Sequence, residues 1–461
     1  MPDIKKYDIV IIGGGIGGLM SAYRLLKKQP KLRIAITECG NVLEKRVCPA
    51  GKNSTCVHCK ICNITNGFAG AGAFSDGKFN LGTAYGGTLG EELGEDTANK
   101  YIKEVDNILN EYCTSNIPKV YKSNDELKLK CLQNNLRLLD MNVKHLGTDN
   151  NFLTMQNIIK VLADLGADLL HFYECKHIEK KGDYILSYQN GEVLSANKVI
   201  IATGRSGANF VNDFCKEHGV KTRSNHVDIG VRVEMKDIIW REFSDKIYEP
   251  KILYKTKTFE DRCRMFCFNQ GGLVSAENNH GIITANGHSF AQEDKKTENC
   301  NFAILSSIRF TEPFDQPTEY AENISRLANM IGNGNVLVQR FGDLIRGRRT
   351  NEHRLSQNTV TPTLKATAGD ISLVLPHRIL TNIIETIYAL DKVAPGTAND
   401  DTLLYGCESK YYSIRPVFMN KNFELIDGVY IIGDGSGICR GLSQSGAMGI
   451  YVADCIIDNL N

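Results

Sequence analysis

The sequence lacks an excess of charge of either sign. Its 461 residues contain 54 Lys and Arg against 53 Asp and Glu, which gives a formal net charge of +1. Proteins that bind nucleic acids or anionic membrane surfaces usually carry a strong basic excess. We therefore expect no nucleic-acid partner and no electrostatic attachment to a membrane.

The sequence also lacks long apolar segments, internal repeats and low-complexity tracts. Hydrophobic residues make up 42% of the chain, yet no run approaches the roughly 18 residues that a membrane helix needs. The amino terminus runs straight into a predicted strand, which leaves no room for a signal peptide. These features predict a protein of the cytoplasm with no membrane contact and a large hydrophobic core.

Cysteine is plentiful, with 15 residues. A chain of this length without an export signal is not a disulfide scaffold. Most of the cysteines are scattered singly, and we expect them to be small buried hydrophobic residues in a reducing compartment. Four of them are clustered and are considered below.

The amino-terminal segment has the pattern of a dinucleotide-binding unit. The apolar run Tyr7–Ile12 predicts a buried parallel strand, and GGGIGG follows it with glycines at the G-x-G-x-x-G positions Gly13, Gly15 and Gly18. A helix-period stretch and a second strand come next, and the second strand ends at Glu38. Such glycines make the turn, admit a pyrophosphate to the backbone and allow close packing, while the acid accepts hydrogen bonds from a ribose.

The carboxyl-terminal segment indicates which dinucleotide is bound. A predicted strand, Val429–Ile432, is followed by Gly433 and Asp434 and then by the start of a helix of small residues. The acid can bind a ribityl hydroxyl, and the helix N-terminus can direct N–H groups at the flavin O2/N1 edge. This arrangement resembles the second FAD motif of the glutathione-reductase-like flavoproteins. Residues 198–205, KVIIATGR, resemble their internal ATG strand and turn.

Three short segments before the ATG strand predict a βββ meander of the kind that those flavoproteins have. They are Asp168–Phe172, Tyr184–Tyr188 and Glu192–Leu194. No second strand–GxGxxG–helix unit is present, so a dedicated NAD(P)H domain is not expected. Electrons would come from the substrate, from transiently docked NAD(P)H, or from a protein or metal relay.

Four cysteines lie within 15 residues just after the ribose acid: Cys48, Cys56, Cys59 and Cys62. The spacing C-x2-C-x2-C is typical of iron–sulfur ligands, and four thiolates equally suit tetrahedral zinc. A redox-active dithiol is a third interpretation. The fourth is a tight loop without metal, facing the flavin.

The segment from Cys48 to Lys78, with its string GFAGAGAFSDGK, resembles a family of bacterial and archaeal FAD-dependent dehydrogenases. Further matches are VDIGVRVE at 227–234, NGHS at 286–289, NFAI at 301–304 and FGDLIRGR at 341–348, so the resemblance covers essentially the whole chain. CNITN at 62–66 also resembles a segment that lies against FAD in the related HI0933-like flavoproteins. One departure is Arg440, which places a charge beside the flavin edge.

The motifs and the resemblance together give the expected FAD-binding residues. They are Gly13, Gly15, Ile16, Gly17, Gly18, Glu38, Cys39, Asn63, Gly72, Ala73, Ser75, Ala202, Thr203, Gly204, Gly433, Asp434, Gly441, Leu442 and Ser443.

The candidates for catalysis are weaker. His288 follows Asn286-Gly287, a strong turn signal, and could donate a proton to substrate or simply be solvated. Tyr412 and Arg415 precede the last FAD strand and could bind a carboxylate or polarise a carbonyl. The basic run from Arg346 to Arg354 could hold an anionic group or the phosphate of NADPH, or be a solvated loop.

The sequence as a whole predicts an α/β fold with a discontinuous Rossmann-type FAD domain, 1–225 and 411–461, and an inserted α+β substrate domain, 226–410. An antiparallel sheet of the inserted domain is expected to form a wall of the substrate site. The predicted function is hydride transfer between flavin N5 and a small-molecule substrate. The alternative is an FAD-binding electron-transfer or RNA-modification component of a larger assembly, with a redox protein as partner.

Overall fold

The computed structural model describes residues 4–49, 59–75, 77–115, 117–279, 281–289, 293–314, 316–410 and 413–460. The α-helices of these residues are α1 Ile16–Lys28, α2 Leu89–Leu93, α3 Glu95–Tyr112, α4 Asp125–Leu132, α5 Thr148–Asp164, α6 Ala208–Glu217, α7 Arg241–Ile247, α8 Pro317–Ile331, α9 Phe341–Ile345, α10 Glu352–Ser356, α11 His377–Asp391 and α12 Leu442–Asp458. The first strands are β1 Lys5–Ile12, β2 Ile34–Glu38, β3 Lys78–Asn80, β4 Val120–Lys122, β5 Leu136–Leu138, β6 Asn142–His145, β7 Asp168–His171, β8 Cys175–Lys181, β9 Asp183–Tyr188, β10 Val193–Ile201 and β11 Thr222–Arg223. The remaining strands are β12 Val227–Lys236, β13 Ile252–Lys255, β14 Arg262–Asn269, β15 Leu273–Asn279, β16 Ile282–His288, β17 Asn299–Ile308, β18 Leu337–Arg340, β19 Thr367–Ala368, β20 Leu403–Lys410, β21 Arg415–Pro416, β22 Glu424–Ile426 and β23 Val429–Ile431.

The chain divides into two compact units. Unit 1 comprises residues 1–120, 142–225 and 413–461, and unit 2 comprises residues 121–141 and 226–412. The sequence-based boundaries differ from this division chiefly at 121–141, which cluster with unit 2 although they precede residue 225. The reason is strand pairing, because β5 joins the edge of the unit 2 sheet by pairing with β13.

Unit 1 is built on a parallel sheet in the order β23-β10-β1-β2-β7, with β22 antiparallel at one edge. Strands β1 and β2 are runs of buried aliphatic residues, as expected where both faces of a parallel sheet are covered. Helices α1 and α12 pack with one face of the sheet in one apolar cluster, and α6 packs in the cluster on the other face. This confirms the predicted α/β fold with a Rossmann-type sheet.

The predicted meander is wrong in its first strand, and its third strand is the start of a longer one. Residues of the first segment form β7, which pairs in parallel with β2 and extends the main sheet. The meander consists instead of β8, β9 and the start of β10, joined antiparallel. Glu192–Leu194 is not a separate strand, because Val193–Ile201 is continuous and pairs with β9 at one end and β23 at the other. Sequence alternation did not reveal this double pairing.

Unit 2 is built on an eight-stranded sheet in the order β19-β18-β20-β12-β17-β14-β13-β5, antiparallel in its centre. Side chains of β12 alternate between its two faces. Val227, Ile229, Val231, Val233 and Met235 join Trp240 and helices α8 and α11 in one apolar cluster. The segment Gly281–Ala285 alternates like a strand in the sequence, and we expect it to belong to the antiparallel sheet of the inserted domain. It lies instead in β16, which pairs with β15 in a separate two-stranded sheet and is not part of the large sheet.

The other face of β12 carries Asp228, Arg232 and Glu234, all fully buried. The Glu234 carboxylate accepts hydrogen bonds from Asn299 Nδ2 at 3.1 Å, Thr363 Oγ1 at 2.5 Å and Tyr405 Oη at 2.5 Å. Burial raises the pKa of Glu234, and these donors offset part of the rise. The carboxyl group is therefore held in a dry polar core of unit 2.

Glu234 should make the stability of unit 2 depend on pH. Because its pKa is raised by folding, the native state keeps the proton to higher pH than the unfolded chain, and the stabilisation is lost as pH rises through the folded-state value. We expect the unfolding free energy of the wild type, relative to Glu234→Gln, to fall as pH rises above the ordinary glutamate pKa of about 4.3. Trp240 fluorescence in urea titrations at several pH values measures the unfolding free energy of both proteins. A free-energy difference between wild type and Glu234→Gln that stays constant or grows with pH would contradict the raised pKa of Glu234.

None of the helices among the described residues is long and apolar enough to span a membrane.

Candidate functional site

The turn between β1 and α1 gives each motif glycine a distinct environment. Gly13 has φ of +112°, and a Cβ there would lie 2.3 Å from the Ala202 carbonyl oxygen. A Cβ at Gly18 would lie 2.2 Å from the carbonyl oxygen of Gly13. A Cβ at Gly15, in contrast, would meet no atom within 4 Å. Gly13 and Gly18 therefore serve the turn and its packing, while Gly15 borders open space at the start of α1.

Ile16 and Gly17 are buried in the first turn of α1, and Gly17 contacts α12. A Cβ at Gly449 would lie 2.3 Å from the Gly17 carbonyl oxygen, and Ser21 Oγ donates to the Gly449 carbonyl at 2.9 Å. Both residues at the start of α1 are buried. A Cβ at Gly17 would itself lie 3.2 Å from the Ser445 carbonyl oxygen of α12, so Gly17, predicted to bind the cofactor, also lets the two helices approach each other closely.

Glu38 connects three parts of the chain. Its Oε2 accepts from the Gly14 N–H at 2.9 Å, and its Oε1 accepts from the N–H groups of Gly40 and Gly67, both at 2.9 Å. Only 6% of the residue is exposed. A carboxylate has about four acceptor positions, so a position on Oε2 remains for a ribose hydroxyl.

Cys39 lies directly after this acid. Its Sγ is 3.2 Å from Glu38 Oε1 and 3.7 Å from Asn66 Oδ1. Burial, followed by the charge of Glu38, raises the pKa of the Cys39 thiol. The thiol is therefore protonated at neutral pH and acts as a hydrogen-bond donor beside the ribose acid.

The segment that carries the GFAGAGAF string lies against the dinucleotide turn. The Ala69 N–H donates to the Gly14 carbonyl at 2.8 Å, and a Cβ at Gly70 would lie 3.1 Å from the Gly15 Cα. A Cβ at Gly72 would be 2.4 Å from a methyl carbon of Leu442. The structure therefore brings this segment, the first FAD motif and the start of α12 together.

The remaining predicted residues of this segment hold its shape. Asn151 Nδ2 donates to the Gly72 carbonyl at 2.7 Å, and Ser75 Oγ donates to the same carbonyl at 2.8 Å. Ala73 is fully buried. Asn63 precedes this segment in the chain, and its Nδ2 donates to the Val47 carbonyl at 2.9 Å.

The ATG turn and the carboxyl-terminal acid meet in unit 1. Asp434 Oδ2 is 3.1 Å from Nε of Arg205, so the predicted ribityl-binding carboxylate has a cation beside it. Gly204 has φ of +62° and open space at its Cβ position. The Thr203 Oγ1 atom is buried without a hydrogen-bond partner. The sequence interpretation of Asp434 did not anticipate the ion pair with Arg205.

The start of α12 is a second open helix N-terminus. Gly441 has φ of +82° and precedes the 17-residue helix, and a Cβ there would meet no atom within 4 Å. Leu442 and the buried Ser443 form the first turn. Gly433, also at positive φ, begins the turn that leads to it. The N–H groups of a first helical turn lack intrahelical acceptors and attract negative charge.

These features fit FAD. Open Cβ positions lie at Gly15, Gly204 and Gly441, and the unpartnered hydroxyl of Thr203 lies next to one of them. A pyrophosphate needs backbone N–H groups at a helix N-terminus, which the turn at Gly15 offers. The flavin O2/N1 edge needs donors where negative charge develops on reduction, and the start of α12 offers them.

The catalytic candidates are dispersed. His288 ends β16 in unit 2, opposite Leu273, so Asn286-Gly287 is strand and the predicted turn is wrong. A Cβ at Gly287 would lie 2.3 Å from Asn269 Nδ2, which shows why glycine is needed there. Arg415 lies in unit 1 and is ion-paired with Glu92. Tyr412 lies outside the described residues.

The basic run of unit 2 is matched by carboxylates. Arg346 pairs with Asp400 at 2.7 Å, and Arg348 pairs with the buried Asp343 at 2.7 Å. Thr350 Oγ1 also donates to Asp343. Two of the arginines proposed for an anionic ligand are thus engaged within the unit.

The cysteine cluster is described only in part, because Cys56 lies outside the described residues. Cys59 is exposed, and Cys48 and Cys62 are partly buried. Among the described residues, no group of three or more His, Cys, Asp or Glu side chains is arranged to hold a metal ion. A four-thiolate metal site therefore stays a prediction.

Thiol accessibility gives a direct test of this cluster. We expect iodoacetamide to modify Cys59 in the native protein, while Cys300 and Cys439 react only after unfolding, because burial raises their pKa values and blocks access. Peptide mapping of the alkylated protein measures this order. If the cluster holds a metal, chelation should increase modification at Cys59 and Cys62. Rapid native modification of Cys300 would contradict the packing.

One residue that the sequence analysis did not single out is Arg46. It is 3% exposed, and its guanidinium donates to the carbonyls of Phe68 at 2.6 Å and Gly70 at 2.9 Å. Its neighbour Lys45 is exposed. Two adjacent basic residues look alike in the sequence, so no local pattern marks the buried one.

Comparisons with known proteins find the following similarities. The family model described as "FAD-dependent protein, C-terminal domain-like" matches residues 226–411. A Clostridium beijerinckii protein described as "Uncharacterized protein" is 24% identical over 475 residues, covering 98% of this chain and 81% of that protein. The mitochondrial L-2-hydroxyglutarate dehydrogenase of Caenorhabditis elegans is 42% identical over 59 residues, 13% of each chain. The crystal structure of glycine oxidase from Geobacillus kaustophilus aligns with 98% of this chain and 95% of its own, at 12% identity and a TM-score of 0.43.

The family match indicates the class of the protein, an FAD-dependent oxidoreductase. Within that class, its residues 226–411 are similar to the C-terminal domain of FAD-dependent proteins.

Proposed function

We propose that the protein transfers hydride between flavin N5 and a small-molecule substrate, by reduction of a C=C or C=N bond or by the reverse dehydrogenation. The observation that carries the proposal is the pair of open helix N-termini in unit 1, at Gly15 and Gly441. Bound FAD would supply the redox chemistry, and the protein would supply binding, orientation and electrostatics.

Each part of the site has a task in this proposal. The first turn of α1 binds the pyrophosphate next to Gly15, and Glu38 accepts from a ribose hydroxyl. Asp434, with Arg205 beside it, holds the ribityl chain. The first turn of α12 stabilises the negative charge that reduction places at the O2/N1 edge. This assignment rests on the contacts of these residues.

We further propose that the FAD domain is of the glutathione-reductase-like type. The antiparallel meander β8-β9-β10 feeding into the ATG turn supports this. A dedicated nicotinamide domain is not part of the proposal, and NAD(P)H would be a transient donor or a redox partner would take its place.

The test is an absorption spectrum of protein purified without oxygen, with iron and zinc analysis of the same sample. Flavin bands near about 370 and 450 nm are expected. Bleaching by NADPH would identify a nicotinamide donor. About four irons per chain would instead make the cysteine cluster a relay to a one-electron partner. Absence of flavin bands even after FAD is added would overturn the proposed function.

A further inference from the structure

Arg46 is surrounded by backbone carbonyl groups from two sides of one loop. Its Nε donates to the Asn63 carbonyl at 2.9 Å, and its Nη2 donates to the Ile64 carbonyl at 2.7 Å. Its Nη1 donates to the carbonyls of Phe68 and Gly70 at 2.6 and 2.9 Å. One side chain thus fixes the relative positions of residues 63–64 and 68–70.

The Arg46 guanidinium is hydrogen-bonded to carbonyl dipoles, and the charge of Glu38 also favours its charged form. No carboxylate among the described residues forms an ion pair with it. The ring of Phe74 lies 4.8 Å from its guanidinium carbon, which adds a cation–π contact. Burial lowers the pKa of Arg46 to about 10, so the group remains charged at neutral pH. A planar fork with five donors can serve these carbonyls, whereas a lysine ammonium cannot reach them all.

The loop that Arg46 holds lies against the dinucleotide turn. The Phe68 ring would lie 2.7 Å from a Cβ at Gly14, and the same residue's N–H donates to the Asn41 carbonyl at 3.0 Å. Gly70 packs on the Cα of Gly15, beside the open space of the turn. The position of residues 68–70 therefore limits the space next to Gly15.

The same loop is tied to the cysteine segment. Asn63 bonds the Val47 carbonyl through its side chain, and Cys48 and Cys62 are the sequence neighbours of these two residues. The Asn66 N–H donates to the Cys62 carbonyl at 2.9 Å. The ends of the cysteine insertion are thus anchored on the structure that Arg46 organises.

We propose that Arg46 is a positioning residue for FAD: it holds residues 63–70 against the Gly13–Gly15 turn and thereby makes the ends of the cysteine insertion part of the FAD site. This inference rests on the proposed FAD site. It assigns Arg46 no contact with the cofactor, because its donors are used by the loop carbonyls.

The test compares three apoproteins: wild type, Arg46→Lys and Lys45→Ala. The FAD dissociation constant of each is measured by quenching of flavin fluorescence. Lys45→Ala is the matched control, since it removes an exposed positive charge one residue away. We expect Arg46→Lys to raise the dissociation constant at least about tenfold at a temperature where circular dichroism shows the apoprotein folded. Lys45→Ala should leave it within about twofold. Equal affinity of Arg46→Lys and wild type would overturn the proposal.

A second measurement needs no variant. Hydrogen exchange of the wild-type protein should show amides of residues 64–70 becoming slower when FAD is added. Unchanged exchange there would overturn the proposal even if Arg46→Lys did not fold. If the wild-type protein itself does not bind FAD, the proposed function is wrong. If wild type and Arg46→Lys bind FAD equally well, only the role of Arg46 is wrong.

Discussion

We expect a Gly15→Ala variant to fold like the wild-type protein and to lose most of its affinity for FAD. Gly15 has φ of −72°, which alanine adopts without strain, and its added Cβ would meet no protein atom within 4 Å. The methyl group would occupy the open space at the start of α1, where the pyrophosphate must approach the backbone N–H groups. We expect the FAD dissociation constant to rise by about 100-fold, which is about 2.7 kcal/mol, with the melting temperature of the apoprotein unchanged.

Gly18→Ala provides the contrast. Its Cβ would lie 2.2 Å from the Gly13 carbonyl oxygen, so the helix must shift away from the turn. We expect Gly18→Ala to lower the melting temperature of the apoprotein, whereas Gly15→Ala does not. Circular dichroism melting and flavin fluorescence titration of the same samples separate the two effects. Wild-type affinity in Gly15→Ala would show that the open space at Gly15 is not where the cofactor binds.

The second large effect is expected in the buried ion pair of unit 2. Arg232 and Glu408 are both fully buried, and Arg232 Nε lies 2.8 Å from Glu408 Oε2. Lys410 Nζ lies 3.2 Å from the other carboxylate oxygen. Removing one partner of a buried pair leaves a charge without compensation, at a cost of about 3–5 kcal/mol. Glu408→Gln should therefore destabilise unit 2 by about that amount.

Trp240 makes this measurement specific. It is the single tryptophan of the chain and is fully buried in unit 2, so its fluorescence in urea reports the unfolding of that unit. The matched control is Glu322→Gln, which breaks the exposed pair between Glu322 and Arg326 on α8. Exposed pairs of this type contribute less than about 1 kcal/mol. If the two variants lost similar stability, the buried pair would not have the assigned role.

Much of unit 1 could be predicted from sequence, because its signals are local. The strand before Gly13, the helix after it and Glu38 at the end of β2 follow from apolar runs and glycine spacing. The strand β23 and the helix α12 follow in the same way. Apolar runs of this length predict buried strands and helices, and the glycines allow conformations or contacts that other residues do not.

Other features could not be predicted, because they depend on partners distant in sequence. Asn286-Gly287 has the composition of a turn, yet it lies in β16, where Gly287 is required by the side chains of Asn269 and Asn301. The strand β7 has the same apolar character as a meander strand, and only its pairing with β2 places it in the main sheet. The residues of a segment indicate that it forms a strand, but they do not indicate which strand it pairs with in the sheet.

The sequence by itself predicted the α/β class, the two FAD motifs and Gly15 as the motif glycine that faces open space, since each depends on a few consecutive residues. Only the tertiary structure decided that Arg205 accompanies Asp434 and that Arg46, rather than the adjacent Lys45, organises the loop over the turn. The physical reason is that burial and hydrogen bonding are set by how segments pack. Two positively charged residues at neighbouring positions therefore have different roles.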